Sequence, residues 1–234
     1  MGTSNKHTFK SGHFVTEETI MPDEQKRRIS IAEKGSKRPW VTLALKDKKI
    51  RLNLGCGNVY LPNFVNVDWQ GKCDINCDLS KKVPFQDNYA DEILLDNVLE
   101  HIPRDRLFWF LDELHRVCKP EGVIHIYVPH CTSPFAFGHL AHYNFFHSRS
   151  MDIMNVDAKG IGGFEYYNKA RFKVKTKLLM FHHNYYNLHF LSSLNPLVNW
   201  AFNFSNLWKY LMEKIWLPGF EECEYWLTPV KETK

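Results

Sequence analysis

Short apolar runs broken by turn residues fill the middle of this chain, and they predict strands there rather than long helices. Ile50, Leu52 and Leu54 form a run that stops at Gly55-Cys56-Gly57, the pattern of a buried strand ending in a tight glycine turn. Phe64 to Val67 forms a second run, closed by Asp68. Cys73 to Asp78 reads as a third short strand with another acid at its end, and Glu92 to Leu95 as a fourth, ending at Asp96-Asn97. Between these two, Val83-Pro84-Phe85 and Asn88 to Asp91 carry loop and turn chemistry. The period then changes. From Arg104 to Cys118 the residues Leu107, Phe108, Leu111, Leu114 and Val117 recur at helical spacing, which predicts an amphipathic helix stopped by Lys119 to Gly122. Val123 to Val128 is a fifth strand, ending at Pro129-His130.

Farther along, Ala170 to Phe181 alternates apolar and basic residues and Phe220 to Val230 alternates weakly, so both are expected as late strands on an antiparallel edge. The stretch between them, Tyr185 to Leu217, is rich in aromatic residues and helical in pattern. At the other end, residues 1–26 offer little apolar surface to bury and are expected to form a flexible arm. Pro22 to Lys34 fits a short helix, and Trp40, Leu43 and Leu45 fit a segment that docks on the core. Strands alternating with helical segments predict an α/β fold: a doubly wound sheet in three layers, helix, sheet, helix. The sheet is expected to be mostly parallel with an antiparallel C-terminal edge strand, and to bind ligands at the carboxyl ends of its strands. Residues 27–234 are expected to form one domain. Within it fall a docking segment (27–48), a ligand-binding core (49–129), a lid (130–169), and the late strands with the aromatic region (170–234).

Composition narrows the function. With 234 residues, 44% of them hydrophobic, the chain can bury the core of a single domain. Its net charge of +4, from 30 basic and 26 acidic residues, is scattered, so nucleic acid is not an expected partner. No run approaches the roughly 18 apolar residues that span a bilayer, and the first residues lack the apolar core of a signal peptide, so a cytoplasmic location is expected. Cys56, Cys73, Cys77, Cys118, Cys131 and Cys223 show neither a CxxC pair nor zinc-type spacing with histidine; reduced, mostly buried thiols are expected.

Candidate chemistry gathers at the glycine turn. Glycines at the end of a parallel strand let the backbone take positive φ and let a ligand approach where a Cβ would otherwise stand. Asp68, at the end of the next strand, is placed to accept hydrogen bonds from both hydroxyls of a ribose, each worth roughly 1.5–3 kcal/mol. That layout suits a nucleoside.

Over roughly Lys49 to Val128 the chain resembles the class I methyltransferases that use S-adenosylmethionine, which have a Rossmann-like sheet. LNLGCG resembles that family's first motif, NVD its second and CDL its third; DEILLDNVLEHI and LHRVCKPEGVIHIYVPH resemble its later strands. The resemblance implies S-adenosylmethionine as cofactor and S-adenosylhomocysteine as product. It places Gly55, Cys56 and Gly57 at the methionine end of the cofactor, Asp68 on the ribose, Trp69 beside the adenine, and Asp78 with Leu79 at the adenine amino group. Asn53 stands where an Asp often precedes the leucine, and Asp96 and Asn97 are the further candidates for the cofactor's amino group. A dehydrogenase is disfavoured, because GCGNVYL lacks the third glycine of GxGxxG.

For the acceptor, PHCTSPFAFGHLAHYNFFHSRSM follows the fifth strand with His130, His139, His142 and His147 among Phe135, Phe137, Tyr143, Phe145 and Phe146. It resembles a narrower group of methyltransferases associated with sugar and polysaccharide biosynthesis, in which such a segment precedes a late ARF strand, here Ala170-Arg171-Phe172. The expected reaction is O-methylation of a sugar or glycan hydroxyl, with His142 as general base and His130 and His139 as orienting or alternative bases. A small aromatic, quinone-like or amine acceptor is the alternative, and a noncatalytic cofactor-binding scaffold the alternative of another class. Glu100-His101 resembles the LEH element of ubiquinone-pathway O-methyltransferases, where acids and a histidine hold a divalent ion. Asn97 replaces the first acid of that element, so no metal is expected, with a divalent ion near Glu100 and His101 the lesser possibility. The aromatic stretch 185–217 is expected to pack over the sheet edge, with a partner surface, or contact with a membrane or lipid-linked substrate, as its other uses.

Overall fold

The computed structural model describes residues 7–8, 49–158, 169–180, 195–214 and 220–231. The expected helix at 22–34, the docking segment at 27–48 and the start of the aromatic stretch at 185–194 lie outside these residues.

Eight strands form one sheet: β1 (His7–Thr8), β2 (Arg51–Leu54), β3 (Val65–Asp68), β4 (Ile75–Asn76), β5 (Ala90–Asp96), β6 (Cys118–Pro129), β7 (Phe172–Met180) and β8 (Phe220–Pro229). Their order across the sheet is β1-β4-β3-β2-β5-β6-β8-β7. All pairings from β1 to β6 are parallel, while β8 runs antiparallel to both β6 and β7. This is a mostly parallel, doubly wound, Rossmann-like sheet with antiparallel late strands. Every residue of β2 and β3 is buried, as central parallel strands require. The chain winds outward from β2 through β3 to β4, then returns to lay β5 on the other side of β2. The switch point therefore lies between β2 and β5.

Helix α1 (Leu107–Val117) buries Phe110, Leu111, Leu114 and Val117 at three- and four-residue spacing. It starts later than its pattern suggests, because Arg104–Arg106 forms a 3-10 turn after Pro103. It ends where Cys118 turns extended. β6 begins there, five residues before the expected strand, and absorbs Lys119 to Gly122 as an irregularity in its register with β5.

The outer strands differ in length and placement. β4 keeps two residues of the predicted six because Asp74 turns its carboxylate onto the Asn66 N–H at 2.9 Å and the Tyr60 hydroxyl at 2.8 Å, drawing the chain into a turn. The two late strands form the antiparallel edge, with β8 between β6 and β7 and β7 outermost. Within the arm expected to be flexible, His7 and Thr8 pair with Ile75 and Asn76. After β6 come α2 (Pro134–Gly138) and, between β7 and β8, α3 (Asn195–Asn203) and α4 (Asn206–Lys214). Among the described residues no helix is long and apolar enough to cross a membrane.

Candidate active site

The glycine turn leaves β2 with Gly55 at φ 73° and Gly57 at φ 50°, both in the left-handed region that an L side chain resists. The two glycines differ in their surroundings. A Cβ on Gly55 would lie 2.5 Å from a methyl of Val98, so the turn after β2 is pressed against the loop after β5. A Cβ on Gly57 would meet nothing within 4 Å, so this residue faces open space. Asp68 ties the turn to β3: the Gly57 N–H donates to Oδ2 at 2.8 Å and the Gln70 N–H to Oδ1 at 2.9 Å. Each carboxylate oxygen retains a lone pair for a ligand hydroxyl. Trp69, beside it, is 63% exposed, an indole face open to a flat ring. Cys56 is buried, and burial with Asp68 nearby pushes its thiol up to about 12, so it stays neutral and is no nucleophile.

The other expected cofactor residues also make bonds within the protein. Asn53 is buried, and its amide donates to Val59 O at 3.0 Å and Asn66 Oδ1 at 2.9 Å; both its hydrogens brace the loop. Asp78 accepts from the Ser80 N–H and hydroxyl and pairs with Lys81 at 2.8 Å, and these bonds hold its carboxyl below the usual range despite some burial. The Leu79 side chain belongs to the core, leaving only its backbone for a ligand. Asp96 and Asn97 end β5, where Asn97 takes φ 56° and its N–H donates to Tyr127 O at 2.9 Å.

A cavity of about 270 Å³ opens beside Asn97, walled by Glu100, His101, His139, His142 and Glu222. Two segments far apart in sequence build it. The 3-10 turn Leu99–His101 follows β5, and the loop after α2 folds back over it. That loop is stitched down by the Tyr143 N–H to Glu100 O at 2.7 Å and by the Asn144 amide, which donates to Leu99 O at 2.9 Å and Ile102 O at 2.7 Å. Ser133 caps α2 by accepting from the Phe135 N–H at 3.3 Å, with Pro134 at the first helical position. His142 places Nδ1 2.9 Å from Ala136 O and His101 places Nδ1 3.1 Å from Ala141 O. Each therefore protonates Nδ1 and keeps a lone pair at Nε2.

The electrostatics suit proton uptake. Burial lowers His101 and His142 from the ordinary 6.5, and the neighbouring histidines lower them further, so both are neutral at pH 7. Glu100 is 1% exposed with neither carboxylate oxygen hydrogen-bonded. Burial, with Asp96 and Glu222 nearby, pushes it up to about 8. The sequence singled out Glu100 only beside His101, through the LEH resemblance, and gave Glu222 no role; burial is what places both on the cavity wall.

His130 requires a correction. It is 1% exposed and both ring nitrogens are occupied: Nε2 donates to Glu213 Oε1 at 2.9 Å, and Nδ1 accepts from the Thr132 N–H at 3.1 Å. It does not wall the cavity. Glu213, on α4, also accepts from the Ser148 N–H and hydroxyl, so His130 and Glu213 anchor the lid instead of facing an acceptor.

Residues 61–126 match the family model described as a methyltransferase domain. No curated protein matches the chain. Among solved structures it is similar to a SAM dependent methyltransferase from Archaeoglobus fulgidus, at 16% identity over 87% of this chain and 93% of that chain, with TM-score 0.49. It is also similar to Haemonchus contortus phosphoethanolamine N-methyltransferase 2 in complex with S-adenosyl-L-methionine, at 13% identity over 82% of this chain and 51% of that one, with TM-score 0.48. A third likeness is to a Haloferax volcanii structure, the complex between the Trm112 methyltransferase activator and the putative methyltransferase, at 12% identity over 91% of this chain and 99% of that one, with TM-score 0.47.

Proposed function

We propose that this chain, a methyltransferase of Rossmann-like fold, moves the methyl group of S-adenosylmethionine to a hydroxyl of a sugar or glycan intermediate and releases S-adenosylhomocysteine. The reading is carried by one arrangement: an open glycine turn tied to Asp68 on one side of the switch point and a histidine-lined cavity on the other. The contact between Gly55 and Val98 makes the two sides neighbours. On the first side Gly57 gives the cofactor room, Asp68 takes the ribose hydroxyls, Trp69 covers the adenine, and Asp96 and Asn97 meet the amino end.

The cofactor supplies an activated methyl on a sulfonium. Bound at the glycine turn, it would offer that methyl to an attacking oxygen, with the carbon–sulfur electron pair leaving on sulfur as a neutral thioether. The chain's own part is alignment, exclusion of water and removal of the hydroxyl proton. His142 takes that proton at Nε2, with Nδ1–H held by Ala136 O so that the correct nitrogen faces inward. His139 stands beside it, ring centroids 4.7 Å apart. His142→Ala should abolish turnover and leave cofactor affinity by calorimetry unchanged; full turnover in that variant would refute the base.

One observation favours a second reading. Glu100, buried with both oxygens unpaired, would welcome an amine more than a neutral hydroxyl. Radiolabelled methyl transfer to matched hydroxyl and amine acceptors separates the two.

A further inference from the structure

We propose that His101, His139 and His142 form a binding site for one divalent transition-metal ion. A ligand nitrogen from each of the three lies within 4.8 Å of the others. The rings face one another closely, with centroids 4.7 Å apart for His101 and His142, 4.7 Å for His139 and His142, and 5.3 Å for His101 and His139.

The hydrogen bonds support ligation. Metal-binding histidines commonly donate their second ring N–H to a carbonyl or carboxylate, which sets the tautomer and aims the free nitrogen. His101 does so to Ala141 O and His142 to Ala136 O, so both present Nε2. His139 differs: its Nδ1 accepts a long bond, 3.3 Å, from the Ala141 N–H, and giving up that bond lets the ring ligate through Nδ1. Nitrogens on one tetrahedral zinc at about 2.0–2.1 Å must stand closer than the cluster does now. His139 is exposed, and its loop can make that adjustment.

Glu100 is the second, independent observation. Its carboxylate is 99% shielded, unpaired, and on the wall of the same cavity, next in sequence to His101. No described side chain bonds to either carboxyl oxygen, and a dication on the adjacent histidines would favour the ionised form of this buried group. Imidazole donors select zinc, cobalt, nickel or copper over magnesium and calcium, which prefer all-oxygen sites. The three-histidine set also differs from the acid-rich LEH element, since Asn97 cannot supply the missing carboxylate. A bound ion takes the lone pair that His142 otherwise offers to a proton, so loading withdraws His142 from base work.

The test uses the full chain without cofactor or acceptor, so its outcome is independent of the methyl-transfer reading. Co²⁺ is titrated by visible absorption and Zn²⁺ by calorimetry, with Mg²⁺ as control. The expected result is one Co²⁺ or Zn²⁺ per chain, a tetrahedral Co²⁺ spectrum and no Mg²⁺ uptake. His139→Ala, at an exposed position that should not disturb folding, is expected to weaken Zn²⁺ by more than roughly 100-fold, and Glu100→Gln by roughly 10–100-fold, the loss typical of supporting groups. Absence of saturable one-to-one binding, or binding unchanged in His139→Ala and His142→Ala, overturns the site.

Discussion

The Tyr143 N–H donates to the carbonyl of Glu100 at 2.7 Å, and this bond joins the loop after α2 to the 3-10 turn that follows β5. It holds the backbone after His142 against the backbone before His101, so the two rings meet although 41 positions separate them (142 − 101). The shape of the cavity thus depends on how firmly the loop is pinned there.

Asn144 is the side chain that reinforces that bond, giving both amide hydrogens to buried carbonyls of Leu99 and Ile102. Asn144→Leu strands both acceptors, at about 1–3 kcal/mol each. Denaturant unfolding should show a loss of that order. In the folded fraction the acceptor KM should rise with cofactor affinity unchanged. Equal loss of cofactor binding would mean that the lid and the nucleoside side are one unit.

The two glycines of the turn should respond differently to alanine. Gly55→Ala drives a methyl into Val98, and its main effect is expected on stability, at about 1–3 kcal/mol. Gly57→Ala has room and pays chiefly for its positive φ, about 1 kcal/mol. Its methyl occupies the space proposed for the cofactor, so affinity for S-adenosylhomocysteine should fall at least about tenfold. Comparing melting temperature with calorimetric affinity for the two variants checks this contrast.

Glu213 should contribute to acid sensitivity. Burial pushes its carboxyl up, but hydrogen bonds from His130 and Ser148 outweigh that and hold it below the ordinary 4.5. A carboxyl lowered in the folded state binds its proton more readily when unfolded. Its stabilisation is therefore present above about pH 4.5 and is lost as pH falls through the folded value. Glu213→Gln should lower stability at pH 7 and flatten the acid limb of the unfolding free energy. An unchanged acid limb would remove Glu213 from the role of lid anchor.

The helices α3 and α4 and the link between them expose Leu197, Trp200, Phe204 and Leu207, each at least 64% open to solvent. Such a patch suits lipid or a lipid-linked acceptor. Liposome flotation should recover the protein, and the double variant Trp200→Ser, Phe204→Ser should lower recovery severalfold. Recovery equal to that of the parent would assign the patch to another use.

Local pattern was enough for much of the fold. The glycine turn between Leu54 and Asn58, the acid after β3 and the buried stripe of α1 are short-range properties, set by period and turn chemistry. They were legible as such. The sequence alone also determined that the histidines of the lid follow β6 and belong at the ligand end of the sheet. Only the tertiary structure decided which of them face the cavity. His130 and His142 look alike in sequence, yet a glutamate 83 residues away binds the first, and a backbone carbonyl six residues away aims the second. Glu100 stood out in sequence only through the LEH resemblance, and only burial shows that its carboxyl is shielded from water. Periodicity reports which way a side chain points from its own element, whereas partners and burial come from segments that meet only when the sheet closes.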